Sequence, residues 1–205
     1  MTHAECHSDP RPGQPTGRAG EALKGRRGID ILRRTFVSKI RNYLLLSILA
    51  GLVLLLDQWT KYLVRTRLAL GEIWMPIKAI KPYMHVVHWN NTGAAFGMFQ
   101  QGGMVFTVLA IVVSAAIIWY YRNSDSASWP VRIALGLQLG GALGNLLDRL
   151  FQGTVTDFIW FGFFPAVFNF ADGAISLGVA LLILDMFLEY RRNRKAPPPE
   201  RALIP

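Results

Sequence analysis

GGALGNLLDRLFQGTVTDFIWFGFFPAVFNFADGAIS, residues Gly140–Ser176, decides how the chain is read. Two apolar segments meet in it. Asn145, Asp148, Arg149, Asp157, Asn169 and Asp172 sit between and inside them. Ionisable groups set in membrane-like sequence are costly to keep, so these six positions are functional candidates by default. The neighbouring segments decide whether they form one site and on which side of a membrane it lies.

The 205 residues are 52% hydrophobic and carry a net charge of +9. The apolar residues come in blocks, and the chain is too apolar for an ordinary soluble domain. The positive residues flank the blocks instead of forming a stripe on a folded domain. That pattern sets orientation in a membrane and argues against nucleic acid as a partner. The single cysteine, Cys6, leaves no internal disulfide and no cysteine-based metal site. His85 and His88 are too close together for an H-E-x-x-H zinc pattern, and the sequence predicts neither metal nor cofactor.

Outward from the opening stretch, the chain predicts an all-α membrane fold of four transmembrane helices. Residues 1–41, rich in Pro, Gly and Arg, read as a disordered basic cytoplasmic tail. Residues 42–190 form the membrane domain, and 191–205 a second basic, Pro-rich cytoplasmic tail. The first block, Tyr43–Leu56, runs on through Val64, long enough to span. Residues 65–102, with Met84–Trp89 and the turn-prone Asn90–Gly93, read as a small extracytoplasmic element of strand and loop on the membrane. Block two is Met104–Tyr121. Block three is Ile133–Leu147, with Gly136, Gly140 and Gly144 forming a small-residue ridge for close helix approach. Block four runs from about Phe168 to Leu188. Four spans with basic flanks at both ends put both termini in the cytoplasm.

Depth brings the polar residues to one level. Asp57 lies fourteen residues beyond Tyr43, ~21 Å at ~1.5 Å per residue. That is the outer third of a ~30 Å core. Asn145 lies equally deep in block three, with Asp148 and Arg149 higher. Asn169 and Asp172 start block four from the outside, Asp157 lies in the connection at the outer surface, and Asn91 belongs to the outer loop. Asp157 and Asp172 flank an aromatic re-entry, FIWFGFFPAVF. Two carboxyls held close in an apolar setting share a proton. The ionised member then activates water while the protonated member polarises a carbonyl, which suits peptide hydrolysis without metal or covalent intermediate. A serine nucleophile stays open.

Plainer readings stand beside these. Asn169 and Asp172 have capping-box spacing, so Asp172 is also a candidate helix cap. Asp157 also reads as a surface-loop carboxylate, Asp148–Arg149 as a structural ion pair, and Asp57–Lys61 as a snorkelling pair at the interface. Asn91 also reads as a turn residue, and the aromatics from Trp160 to Phe168 as an interfacial belt. A transporter would place its charges nearer the midplane and show internal repeats. An assembly factor using the glycine ridge leaves the gathered carboxylates unexplained.

Four blocks in order carry a resemblance: LDQWTKYLV (Leu56–Val64), NTGAAFGMF (Asn91–Phe99), GGALGNLLDRL with GTVTDFIWF (Gly140–Leu150, Gly153–Phe161) and FNFADGAISLG (Phe168–Gly178). Together they resemble bacterial lipoprotein signal peptidase, also called signal peptidase II, over about Tyr43–Leu188. The resemblance implies a four-helix aspartic endopeptidase of the bacterial inner membrane, with its site near the outer face. It implies removal of the signal peptide from prolipoproteins, N-terminal to the diacylglyceryl-modified cysteine of the lipobox. It makes Asp157 and Asp172 catalytic, and Asp57, Lys61, Asn91, Gly93, Ala95, Asn145, Asp148, Arg149 and Asn169 supporting or substrate-binding. A small extracytoplasmic β-cradle and interfacial helix over the site, contact with membrane lipids, and inhibition by the globomycin class follow from it too. Gly97 and Gly173 depart from it, each standing where serine is common, and the N-terminal tail is longer than usual.

Overall fold

The computed structural model describes residues 43–75, 77–80, 82–93, 102–123 and 128–195. Residues 1–42 and 196–205, which hold most of the two expected tails, lie outside the described residues, as do Ala95 and Gly97.

The described residues form four α-helices: α1 (Tyr43–Arg67), α2 (Gly103–Asn123), α3 (Trp129–Gln152) and α4 (Phe170–Lys195). Three of them, α1, α2 and α4, are long and apolar enough to cross a membrane. On α1 the buried stripe is Leu46, Ala50, Val53, Asp57, Lys61 and Val64, while Leu44, Ile48, Leu52, Leu55, Trp59 and Tyr62 are exposed. Spacings of three and four put the stripe on one face. Toward its C-terminus the buried face is the polar one and the exposed face the apolar one. A soluble amphipathic helix has the reverse arrangement, and lipid is the solvent that fits this one.

The helices outrun their apolar blocks. α1 continues through Arg67, so the first three positions assigned to the outer loop are helical. α3 starts four residues before Ile133 because Ser128 caps it, its hydroxyl accepting from the Val131 N–H, and Pro130 suits the first turn. It ends at Gly153, which takes φ 74° and donates its N–H to the Arg149 carbonyl. Only glycine adopts that left-handed cap freely. α4 carries Arg191, Arg192, Arg194 and Lys195 as helix, where a tail was expected from 191.

Close approach between helices rests on glycines of α3. A Cβ added at Gly136 would lie 2.8 Å from the Leu49 Cβ, and one at Gly140 2.6 Å from the Ala50 carbonyl oxygen. At Gly144 it would strike the Asp57 carboxyl. This ridge therefore receives α1 within the chain. Gly141 faces the other way, where a Cβ would lie 2.6 Å from the Ala171 carbonyl oxygen of α4. At the opposite end from the polar groups, Leu46, Ala50, Ile117, Tyr121, Leu135 and Leu139 form an apolar core.

The connections are more regular than expected. β1 (Ile73–Trp74), β2 (Met84–Asn91), β3 (Val155–Phe161) and β4 (Val167–Phe168) make one antiparallel sheet in that order. The supposed aromatic re-entry is the β3–β4 pair. Its β-branched and aromatic run suits a pleated, half-buried surface. The described part of 65–102 holds two strands and a single 3₁₀ turn, Lys78–Ile80. Between Val86 and Trp89 the β2–β3 register shifts by one residue, after which Trp89 faces Asp157 and Asn91 faces Val155.

Candidate active site

Asp157 lies on β3 and is 1% exposed. This corrects its expected place in a surface connection: pairing with β2 draws the segment into the sheet. Strand alternation puts Asp157 on the same face as Trp89 and Asn91. The Asn91 side-chain amide donates to Asp157 Oδ2 at 2.8 Å, and its oxygen accepts from the Gly93 N–H at 2.9 Å. Asn91 is thus both a turn residue and an Asp157 partner.

Asp172 sits in the first turn of α4. Its Oδ2 accepts from the Asn169 N–H at 3.1 Å, and its own N–H donates to Asn169 Oδ1 at 3.0 Å. That is the reciprocal capping geometry its spacing suggested. The second carboxyl oxygen, Oδ1, accepts from the Asn145 amide at 2.8 Å. Capping therefore occupies one oxygen and leaves the other turned to the interior.

Two asparagines join the carboxyls. The Asn169 amide donates to Asp157 Oδ1 at 2.6 Å and to Asn145 Oδ1 at 3.1 Å. Asn145 Oδ1 also accepts from Lys61 Nζ at 2.8 Å. These partners fix both amide orientations, since only an oxygen can face two donors.

Behind them lies a charged frame. Lys61 is wholly buried, and its ammonium reaches Asp57 Oδ2 at 2.8 Å, Asp148 Oδ2 at 3.2 Å and Asn145. Three donors meet three acceptors, so the buried charge is satisfied. Asp57 and Lys61 are both wholly buried, so of their two readings the snorkelling one does not hold. Asp57 Oδ1 accepts from the Ala171 N–H at 2.9 Å, and Asp148 Oδ2 from the Thr156 N–H at 2.9 Å. Each structural carboxylate thus grips the backbone of the residue immediately before one of the two site aspartates.

Asp148 and Arg149 do not pair with each other. Successive helical residues point about 100° apart, and Asp148 turns to Lys61 and Arg65. The Arg149 guanidinium instead donates to the Asn145 carbonyl at 3.3 Å and lies 5.6 Å from the Phe106 ring centroid on α2.

Burial, and then the neighbouring Asp172, push the Asp157 carboxyl from 3.8 up to about 7; hydrogen bonds from Asn91 and Asn169 and the charge of Lys61 oppose this. A carboxyl poised near neutrality beside a second one is the arrangement for sharing a proton. Among the described residues no cluster of His, Cys, Asp and Glu is arranged to hold a metal ion.

The sequence matches the family described as "Signal peptidase (SPase) II" over residues 49–188. The chain belongs to the signal peptidase II family. It is a membrane protease. A lipoprotein signal peptidase of Desulfitobacterium hafniense is 41% identical over 152 residues, covering 74% of this chain and 99% of its own length. One from Symbiobacterium thermophilum is 39% identical over 149 residues, covering 71% and 96%. A bacterial membrane enzyme solved by the in meso method at 2.3 Å matches with a TM-score of 0.67 at 28% identity, over 76% of this chain and 94% of its own. A second, at 1.9 Å, gives 0.62 at 28% over 69% and 91%.

Three residues of this signal peptidase II escaped the sequence reading. Gln58 donates to Asp57 Oδ2, the Gly144 carbonyl and Asp148 Oδ1 at 3.1–3.2 Å. Arg65 and Thr156 join Asp148 from α1 and β3. A helical spacing of Asp57, Lys61 and Arg65 was the available signal for Arg65, hidden by its reading as a loop charge. At Gly173, beside Asp172, an added Cβ meets nothing within 4 Å.

Proposed function

We propose that this peptidase removes the signal peptide from prolipoproteins by two-aspartate catalysis, with Asp157 and Asp172 as the catalytic pair. One observation carries the mechanism: a buried carboxyl, Asp157, and a half-buried one, Asp172, are joined through Asn169 and Asn145, and the first is pushed up to about 7. The ionised carboxyl takes a proton from water, and the water oxygen adds to the scissile carbonyl carbon. The protonated carboxyl gives its proton to the carbonyl oxygen, forming a gem-diol. Collapse breaks the C–N bond, and the pair returns a proton to the departing amine. The products are a signal peptide with a free carboxyl and a lipoprotein with a free amino terminus at its diacylglyceryl-modified cysteine. Asn91, Asn145, Asn169 and Arg149 hold the pair and the substrate backbone, with Gly93 beside Asn91 and Ala95 a supporting position by its place in the motif alone. Asp57, Lys61 and Asp148 form the frame behind.

Substrate specificity for lipoproteins is supported by the names of the relatives. α3 is read as the fourth span. Its 24 residues reach ~36 Å at ~1.5 Å per residue. Its glycines and polar groups face other helices, so low apolarity is what an interior span requires. With both termini cytoplasmic, the frame lies toward the outer face of the inner membrane. The sheet then acts as a cradle, and substrate lipid chains enter laterally between helices. Inhibitors of the globomycin class would occupy the same site.

The test is processing of a purified diacylglyceryl-modified prolipoprotein. Asp157→Asn and Asp172→Asn each abolish cleavage, and globomycin blocks the parent enzyme. Full activity in either variant sinks the catalytic assignment.

A further inference from the structure

Arg65 stands in the last turn of α1, on the same stripe as Asp57 and Lys61. One guanidinium nitrogen lies 3.4 Å from Asp148 Oδ1 and 3.1 Å from the Thr156 hydroxyl. The Thr156 N–H donates to Asp148 Oδ2 at 2.9 Å. The three residues close a ring in which both the backbone and the side chain of Thr156 are held. Thr156 and Asp148 are each 1% exposed, and the Arg65 side chain 24%.

Thr156 immediately precedes Asp157. Alternation along β3 turns its side chain to the face away from Asp157. The ring therefore sits behind the strand and touches no reacting atom. What it fixes is the height and twist of β3 where the carboxyl emerges. Charge argues the same way. Asp57 and Asp148 bring two negative charges to the frame and Lys61 one positive. Arg65 supplies the second, so the frame is neutral with it and carries a net negative charge without it. An exposed terminal arginine that merely oriented the helix would have no reason to reach two buried acceptors.

We infer that Arg65 is a positioning residue for Asp157, acting through Thr156. This rests on Asp157 being catalytic.

The test uses the full chain and a diacylglyceryl-modified prolipoprotein. Arg65→Met lowers kcat roughly tenfold, as slight misplacement of a reacting group does, and leaves KM within about twofold. Arg65→Lys recovers most of the loss. Thr156→Val, which keeps the N–H and removes the hydroxyl, reproduces the Arg65→Met defect. The double variant is no slower than the slower single, because both act through one contact. Unchanged kcat in Arg65→Met, a loss confined to KM, or multiplying defects in the double variant overturns the inference. Asp157→Asn in parallel separates two failures. Activity there removes the catalytic reading and this inference with it. An inactive Asp157→Asn beside a fully active Arg65→Met removes only the role of Arg65.

Discussion

Asp157 carries its raised proton affinity into stability as well as chemistry. Its carboxyl has the ordinary value of 3.8 when unfolded and about 7 in the fold. Between those values the folded protein keeps a proton that the unfolded chain has lost. Stability from this group therefore falls as pH rises through that window and is level above it. Asp157→Asn removes the titration, so thermal melts in detergent should find it more stable than the parent at pH 8, by a few kcal/mol at most on the order of ~1.4 kcal/mol per unit. The gap narrows toward pH 4. Cleavage by the parent should lose its shared proton on the alkaline side, with an apparent pKa near 7 belonging to the pair rather than to one residue. Lys61 behaves differently, because it has two buried carboxylates to neutralise. Lys61→Met leaves Asp57 and Asp148 buried with less counter-charge and should destabilise by ~3–5 kcal/mol, read as a lower melting temperature; a melt unchanged from the parent would mean the frame relaxes to water.

Among the elements, α3 is the one whose sequence said most about packing and least about its own length. A Cβ at Gly140 has the Ala50 carbonyl oxygen at 2.6 Å, against backbone that cannot swing aside. Gly140→Val should force α1 away and cost ~1–3 kcal/mol through overpacking, with cleavage lost as Asp57 and Lys61 move. Gly173 has open space and ordinary helical backbone, so Gly173→Ala should gain ~0.5–1 kcal/mol from helix propensity and keep its activity. Similar melting temperatures for the two variants would show that the ridge is not a tight contact. The contrast also marks what was legible. The Gly136, Gly140, Gly144 spacing gave helix approach outright, because periodicity encodes which residues share a face. Depth counting brought Asp57, Asn145 and Asp172 to one level for the same reason. The sheet was only half legible. β2 read as a strand, but FIWFGFFPAVF read as membrane re-entry, since an aromatic run fits either a strand or an interface and only its pairing with β2 decides. The Asp148–Arg149 reading failed because adjacency in sequence is not adjacency on a helix. Thr156 went unseen because its bonds cross from β3 to α1 and α3, and such contacts leave no local period; Arg65 had the helical spacing from Asp57 and Lys61 but was read as a loop charge.

At the scale of the whole molecule the open quantity is parity. Among the described residues three helices are apolar enough to cross a membrane by composition; α3 makes a fourth only if interior helices are excused from that demand. An odd count puts the two termini on opposite sides and an even count on the same side, so the ends report on the middle. Cys6 is the only cysteine in the chain, which gives a native label before α1. Tyr83, 67% exposed before β2, and Ala202, beyond α4, serve as single cysteines in a Cys6→Ser background. With four spans, a membrane-impermeant maleimide should label Cys6 and Ala202→Cys only in inside-out vesicles, and Tyr83→Cys only from the outside of intact cells. If α3 does not span, Ala202→Cys changes sides while Cys6 and Tyr83→Cys do not. If the basic flanks do not set orientation, all three reverse together. The first result would reassign α3 to an interfacial position and move Asn145 and Asp148 out of the bilayer; the second would turn the frame toward the cytoplasm. Labelling at all three positions as expected puts the site at the outer face, where a lipid-anchored substrate arriving through the membrane presents its cleavage point.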